Sequence, residues 1–213
     1  MQIRDFKRMR ILACLIATLA FTGAAHAADL TIQVRNSAGK PQADAVVMVY
    51  PAARVAEPPR LTGPYRMVQK NMMFNPFTMI VPVGAEVTFP NLDTVRHHVY
   101  SFSAAHPFEL KLYGKDESRA VKFDKAGVIA IGCNIHDAMV AFIRVVDTPY
   151  AAKTDAAGKA VIRNLPDGAA NVKLWHPYLK AANNEIARTL NLPGASSIDF
   201  TVDLRPAPMT HDY

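Results

Sequence analysis

An all-β fold is what this 213-residue chain predicts, and three observations carry the prediction. Near each end, apolar and polar residues alternate. Leu30, Ile32 and Val34 interleave with Thr31, Gln33 and Arg35, and Ile198, Phe200, Val202 and Leu204 interleave with Asp199, Thr201 and Asp203. A period of two turns one face of a strand to a core and the other to water. Fifteen prolines, with no long apolar stretch at helical spacing, argue against a helical protein. Finally, Gly84, Gly127, Pro166-Asp167-Gly168 and Pro193-Gly194 break the apolar runs as turns, the rhythm of a β-sandwich.

Taken in order, residues 1–27 read as a secretory signal. Arg4, Lys7, Arg8 and Arg10 precede an apolar run over residues 11–21 that is too short to span a bilayer, and Ala25-His26-Ala27 offers a small-residue cleavage site. Cleavage after Ala27 starts the mature chain at Ala28 and implies export to the periplasm. Cys14 leaves with the signal, so no membrane anchor is expected. Residues 30–35 form the first strand. Residues 53–64, with Pro58-Pro59 and Pro64, read as a linker. Strands follow at residues 78–83, 87–89, 121–123, 128–131 and 140–146, each short, apolar and β-branched or aromatic. Asp147-Thr148-Pro149 marks a second boundary. Beyond it, residues 172–175 form a strand that places Trp175 in a core, residues 180–190 a short helix, and residues 198–204 the last strand.

Composition narrows the function. Net charge is +6 for the whole chain and falls to +3 once Arg4, Lys7, Arg8, Arg10 and Asp5 depart with the signal. That is too weak to argue for nucleic acid or an anionic membrane. No Ser-His-Asp set, paired carboxylates at helical spacing or phosphate-cradling glycine loop is visible, so hydrolysis and phosphoryl transfer are not expected. The protein reads as a non-enzyme.

The chemistry concentrates in Gly132-Cys133-Asn134-Ile135-His136-Asp137-Ala138-Met139 and, upstream, in His97-His98. Two imidazoles and a thiolate in a plane, with a weak axial thioether, are the ligands of a blue-copper electron-transfer site. Cys133 is the one cysteine left after the signal is removed, so no intramolecular disulfide forms. An unpaired thiol in an oxidising compartment needs burial or a metal. Met67, Met72, Met73 and Met79 read as packing rather than as a thioether site.

Residues 63–146 resemble the cupredoxins, the plastocyanin and azurin superfamily. The resemblance runs through Phe74-Asn75-Pro76, Ile80-Val81-Pro82-Val83-Gly84-Ala85-Glu86-Val87-Thr88-Phe89-Pro90-Asn91-Leu92-Asp93, His97-His98-Val99-Tyr100 and Phe123-Asp124-Lys125-Ala126-Gly127. It implies a Greek-key β-sandwich holding one type 1 copper ion through His97, Cys133, His136 and Met139, with His136 at the surface as the electron's exit. The spacing Cys-x2-His-x2-Met is similar to the short loop of amicyanin. That implies methylamine-type oxidation, with a dehydrogenase as donor and a c-type cytochrome as acceptor. His98 stands where the family usually has Asn. The resemblance favours His97 as ligand, with Val99 inward; strand alternation favours His98, with Tyr100 and Phe102 on its side. The sequence leaves both open.

The flanks, residues 28–62 and 147–205, resemble two halves of a carboxypeptidase regulatory-like, transthyretin-type sandwich. Its opening is carried by Ile32-Gln33-Val34-Arg35-Asn36-Ser37-Ala38-Gly39-Lys40-Pro41 and its later half by Thr154-Asp155-Ala156-Ala157-Gly158-Lys159-Ala160-Val161. Neither half has enough strands to bury a core alone. The expected organisation is a discontinuous sandwich with the copper domain inserted in one of its loops, and residues 206–213 as a tail. The competing organisation gives residues 30–50 to the copper domain. The leading functional expectation is a periplasmic electron carrier. Its competitors are a copper chaperone or storage protein and a metal-free interaction protein.

Overall fold

The computed structural model describes residues 27–54, 60–192 and 196–207. The signal expected over residues 1–27 lies outside them except for Ala27, as do Pro58-Pro59 of the expected linker, the Pro193-Gly194 turn and residues 208–213 of the tail. Strands dominate. The chain opens with β1 (Ala27–Asn36) and β2 (Val46–Pro51). There follow β3 (Tyr65–Arg66), β4 (Val68–Lys70), β5 (Met73–Asn75), β6 (Thr78–Pro82), β7 (Ala85–Pro90), β8 (His97–Ser101), β9 (Phe108–Tyr113), β10 (Ser118–Phe123), β11 (Gly127–Cys133) and β12 (His136–Val146). The last are β13 (Ala151–Lys153), β14 (Lys159–Pro166), β15 (Gly168–Trp175), β16 (Glu185–Leu192) and β17 (Ser196–Val202).

The helix expected over residues 180–190 is not formed. A single 3-10 turn at Ala182–Asn184 leads into β16, which pairs with β15 along its whole length, from Trp175 opposite Glu185 to Gly168 opposite Leu192. Tertiary pairing overrides a weak local helix preference. No helix among the described residues is long and apolar enough to cross a membrane.

Four sheets stack through three apolar layers. The first holds β14-β1-β17 and the second β13-β2-β15-β16. Leu30, Ile32 and Val34 from β1, Ile162 from β14 and Phe200 from β17 meet Val47, Val49, Val172 and Leu174 across the layer between them. The third sheet, β6-β12-β11-β8-β9, faces the fourth, β10-β7-β3, over Val81, Val87, Phe89, Val99, Phe123, Ile129, Ile131, Ala141 and Ile143. Between the second and third sheets lie Val46, Met48, Val146 and Trp175, with Phe142, Ile80 and Val128 packed against them. Strand β2 explains itself: Val46, Val47, Met48 and Val49 are all fully buried because both its faces are covered, which is why its sequence runs apolar without alternation.

Both flanks of the chain contribute to one pair of sheets. β1 runs parallel to β17 from Leu30 opposite Ser196 to Asn36 opposite Val202, and β2 pairs with both β13 and β15. Polar contacts reinforce the join between sheets two and three. The Arg144 guanidinium on β12 donates to Glu185 at 2.9 Å and lies 5.9 Å from the centre of the Trp175 ring. Tyr50 donates to the Asp147 carboxylate at 2.7 Å. Met67 and Met79 pack in the core, but Met72 and Met73 are 45% and 58% exposed, contrary to the packing expected for all four. They sit at the tip of the β4–β5 hairpin, where the chain reverses and no layer covers them.

His176 gives the fold a pH dependence. It is buried, its Nδ1 accepts the Tyr178 backbone N–H at 3.2 Å, and burial holds the imidazole below its ordinary range, against the opposite pull of Asp44 and the Ala43 backbone. A proton added at Nδ1 would face a donor. Because the folded state resists protonation more than the unfolded one, the stability is present above the unfolded value of about 6.5 and is lost as pH falls below it. The urea midpoint of the wild type is therefore expected to drop more between pH 7 and 5 than that of His176→Gln; parallel curves would contradict this.

Candidate metal centre

The register of the third sheet assembles the site. β8 pairs with β11 so that Val99 lies opposite Cys133 and Tyr100 opposite Gly132. His97 thus opens β8 beside the end of β11. Across the other edge, Cys133 pairs with His136 through the two-residue loop Asn134-Ile135, but Gly132 pairs with Val140. The register jumps there, leaving residues 137–139 as an excess on β12. A bulge of this kind re-aims side chains. Asp137 is left exposed, whereas Met139 is 1% exposed within the core cluster that contains Cys133. Gly132 lets Tyr100 approach closely: a Cβ there would lie 3.1 Å from the end of the Tyr100 ring and its hydroxyl, so the side chain would have to shift by a few tenths of an ångström.

Strand β8 alternates with His97, Val99 and Ser101 inward and His98 and Tyr100 half-buried. Alternation pointed to His98 because Tyr100 and Phe102 outweigh Val99 and Ser101 as core candidates. The structure reverses that weighting, with Val99 fully buried and Phe102 88% exposed. His98 Nε2 lies 2.8 Å from the exposed Glu109 carboxylate, turned from the site. His97 is fully buried.

His97, Cys133 and His136 come together, with a donor atom from each within 4.8 Å of the others. Cys133 Sγ lies 3.7 Å from His97 Nδ1 and 3.7 Å from His136 Nδ1. The two rings are 5.0 Å apart at 63°. A first-row ion with bonds of about 2.0–2.3 Å to imidazole nitrogen and thiolate, at angles between tetrahedral and trigonal, spaces its nitrogen and sulfur donors by about 3.6–3.8 Å. The observed separations fit such an ion. Soft sulfur with two imidazoles favours copper over the hard cations. Cys133 is 3% exposed and His97 is sealed, while His136 is half-buried between exposed Ile135 and exposed Asp137.

A buried polar scaffold holds the approach to His97. Asn91, fully buried, donates to the carbonyls of Val95 (2.9 Å) and Tyr113 (3.2 Å), and its own oxygen accepts the Asp93 N–H at 2.9 Å. Gln69 donates to the Tyr113 hydroxyl, and that hydroxyl donates to the Phe89 carbonyl at 2.8 Å; burial pushes the Tyr113 phenol up to about 12. Asp93 in turn lies 2.7 Å from His97 Nε2. Partial burial pushes its carboxyl up, but the His97 contact and the Met72 and Asn71 amides outweigh this and hold it below its ordinary range. Sequence reasoning missed Gln69, Asn91 and Asp93 as site residues. The available signal was polar Asn91 and Asp93 in the short segment between an apolar strand and the His pair.

Fold and site together define an all-β chain with a nearly closed His-Cys-His donor cluster at one end of a sheet. Among solved structures, the chain is similar to a Cu-containing nitrite reductase from Thermus scotoductus SA-01 (26% identity, 43% of this chain and 26% of that one, TM-score 0.38). It is also similar to a purple cupredoxin from Nitrosopumilus maritimus (20% identity, 39% of this chain and 100% of that one, TM-score 0.36), and to a reduced Cu(I) form of an amicyanin variant (21% identity, 48% and 99%, TM-score 0.37). The chain thus matches about a quarter of the length of the nitrite reductase. No protein-family model matches the chain, and no curated protein does.

Proposed function

We propose that the protein is a type 1 copper electron carrier, whose copper His97, Cys133, His136 and Met139 would hold. The observation that carries this reading is the sealed thiol of Cys133 at 3.7 Å from both imidazole Nδ1 atoms. Copper, when bound, supplies a one-electron couple. The chain's own contribution is to hold the donors in fixed places on three strand ends. It also excludes water from Cys133 and His97 and leaves the half-buried His136 nearest the surface, where an electron leaves with little rearrangement. A storage or chaperone site, by contrast, profits from exposed donors that release metal readily, which buried Cys133 and His97 are not.

We further propose a domain organisation, a compartment and redox partners. Residues 28–62 and 147–205 form one discontinuous sandwich, residues 63–146 the copper domain inserted in it, and residues 206–213 a tail. The protein is exported to the periplasm by a signal cleaved after Ala27 and exchanges electrons with a dehydrogenase donor and a c-type cytochrome acceptor, in methylamine-type oxidation. The insertion is supported by β1 and β2 pairing with strands from the far end of the chain.

Cu(II) loading of the mature protein tests the function. An intense visible thiolate-to-copper band with narrow copper hyperfine splitting is expected. A colourless protein with ordinary tetragonal Cu(II), or with none bound, would overturn the carrier reading.

A further inference from the structure

The carboxylate of Asp93 is shared between the β4–β5 turn and the ring of His97. Its Oδ1 accepts the backbone N–H of Asn71, and its Oδ2 accepts the N–H of Met72 at 3.0 Å and lies 2.7 Å from His97 Nε2. Asn71 and Met72 are consecutive left-handed residues, with φ of 55° and 53°, at the reversal between β4 and β5. This is the pattern of a tight hairpin turn, in which glycine or asparagine is usual and methionine is not. The turn's amides point at one carboxylate, and the Asp93 backbone is held in place by its own N–H, which donates to the side-chain oxygen of Asn91.

Chemistry fixes the other end. Both Asp93 oxygens already accept backbone N–H groups, so the carboxylate accepts at His97 as well and the hydrogen there sits on Nε2. In the neutral imidazole the lone pair is then on Nδ1, the nitrogen 3.7 Å from Cys133 Sγ. A carboxylate behind a ligating imidazole sets its tautomer and orientation and makes it a more basic ligand. Resting on the copper reading above, we propose that Asp93 is a positioning residue. It locks His97 as the Nε2–H tautomer, biases the couple toward Cu(II) by its charge, and mechanically joins the His97 side of the site to the exposed hairpin tip at Met72-Met73. The tip is then the part of the surface that responds when His97 does.

The test compares wild type, Asp93→Asn, Asp93→Ala and Asp93→Glu, each first shown to be folded by circular dichroism. In the metal-free proteins, ring-nitrogen NMR is expected to show His97 as Nε2–H in wild type and as a tautomer mixture in Asp93→Ala. Amide exchange at Asn71 and Met72 should accelerate at least tenfold in Asp93→Ala. In the copper-loaded proteins, Asp93→Asn should shift the Cu(II)/Cu(I) ratio against a fixed one-electron mediator about tenfold toward Cu(I), about 59 mV, and Asp93→Glu should restore much of it. An Nδ1–H tautomer in the metal-free wild type, exchange unmoved in Asp93→Ala, or a ratio unmoved in Asp93→Asn would overturn the proposal. A wild type lacking the type 1 spectrum but holding His97 as Nε2–H, with the exchange effect intact, would sink the carrier function and leave the clamp standing.

Discussion

Cys133→Ser is expected to abolish the visible charge-transfer band completely, and His97→Ala to do nearly the same, while His98→Ala keeps the band at close to wild-type intensity. The two histidines are adjacent in sequence, yet one is sealed beside the thiol and the other faces the exposed Glu109 carboxylate. Removing a proposed ligand leaves a hole in the donor set. Changes behind the ligands typically cost only 10–100-fold in metal affinity, and His98 is not even there. The measurement is the absorption and EPR spectrum of each Cu(II)-loaded variant. Loss of the band in His98→Ala with retention in His97→Ala would reverse the ligand assignment.

Trp175→Ala is expected to be the most destabilising single change outside the site, at about 3–5 kcal/mol. Trp175 is 1% exposed between the second and third sheets, with Phe142 at 6.1 Å edge-on and the Arg144 guanidinium on its face. Truncating it opens a cavity in the layer that joins the flanking strands to β12, the strand that begins at His136 and carries Met139. Urea unfolding should show a lower midpoint for the whole transition. A separate early phase confined to the flanking strands, with the copper band unaffected, would show instead that the two pairs of sheets unfold independently. A loss below about 1 kcal/mol would mean the layer contributes little.

The all-β class was legible because it is written in local pattern. The alternation of residues 30–35 and 198–204 survives in the structure as strands whose inward residues Leu30, Ile32, Val34, Ile198, Phe200 and Val202 are buried. The segment over residues 185–192 lacks a clean alternation, because Arg188 falls on the same face as Ile186 and Leu190, and only pairing with β15 makes it a strand. Met72 and Met73 look like core residues in a list of apolar positions, yet a turn places them outside.

For the donor cluster, the sequence by itself determined which residue types were available and that Cys133, His136 and Met139 lie within one loop's reach. The tertiary structure decided which of His97 and His98 turns inward, because that depends on which face of β8 the sheet buries, and both faces of that strand carry apolar residues. It also decided that Asp93 stands behind His97, a contact made by the return of a loop whose shape Asn91 fixes from within the core. It placed Trp175 between sheets rather than inside one sandwich. Local period sets the class of fold because side-chain direction follows from backbone geometry. Which face is covered, and by what, is a property of the whole packed chain.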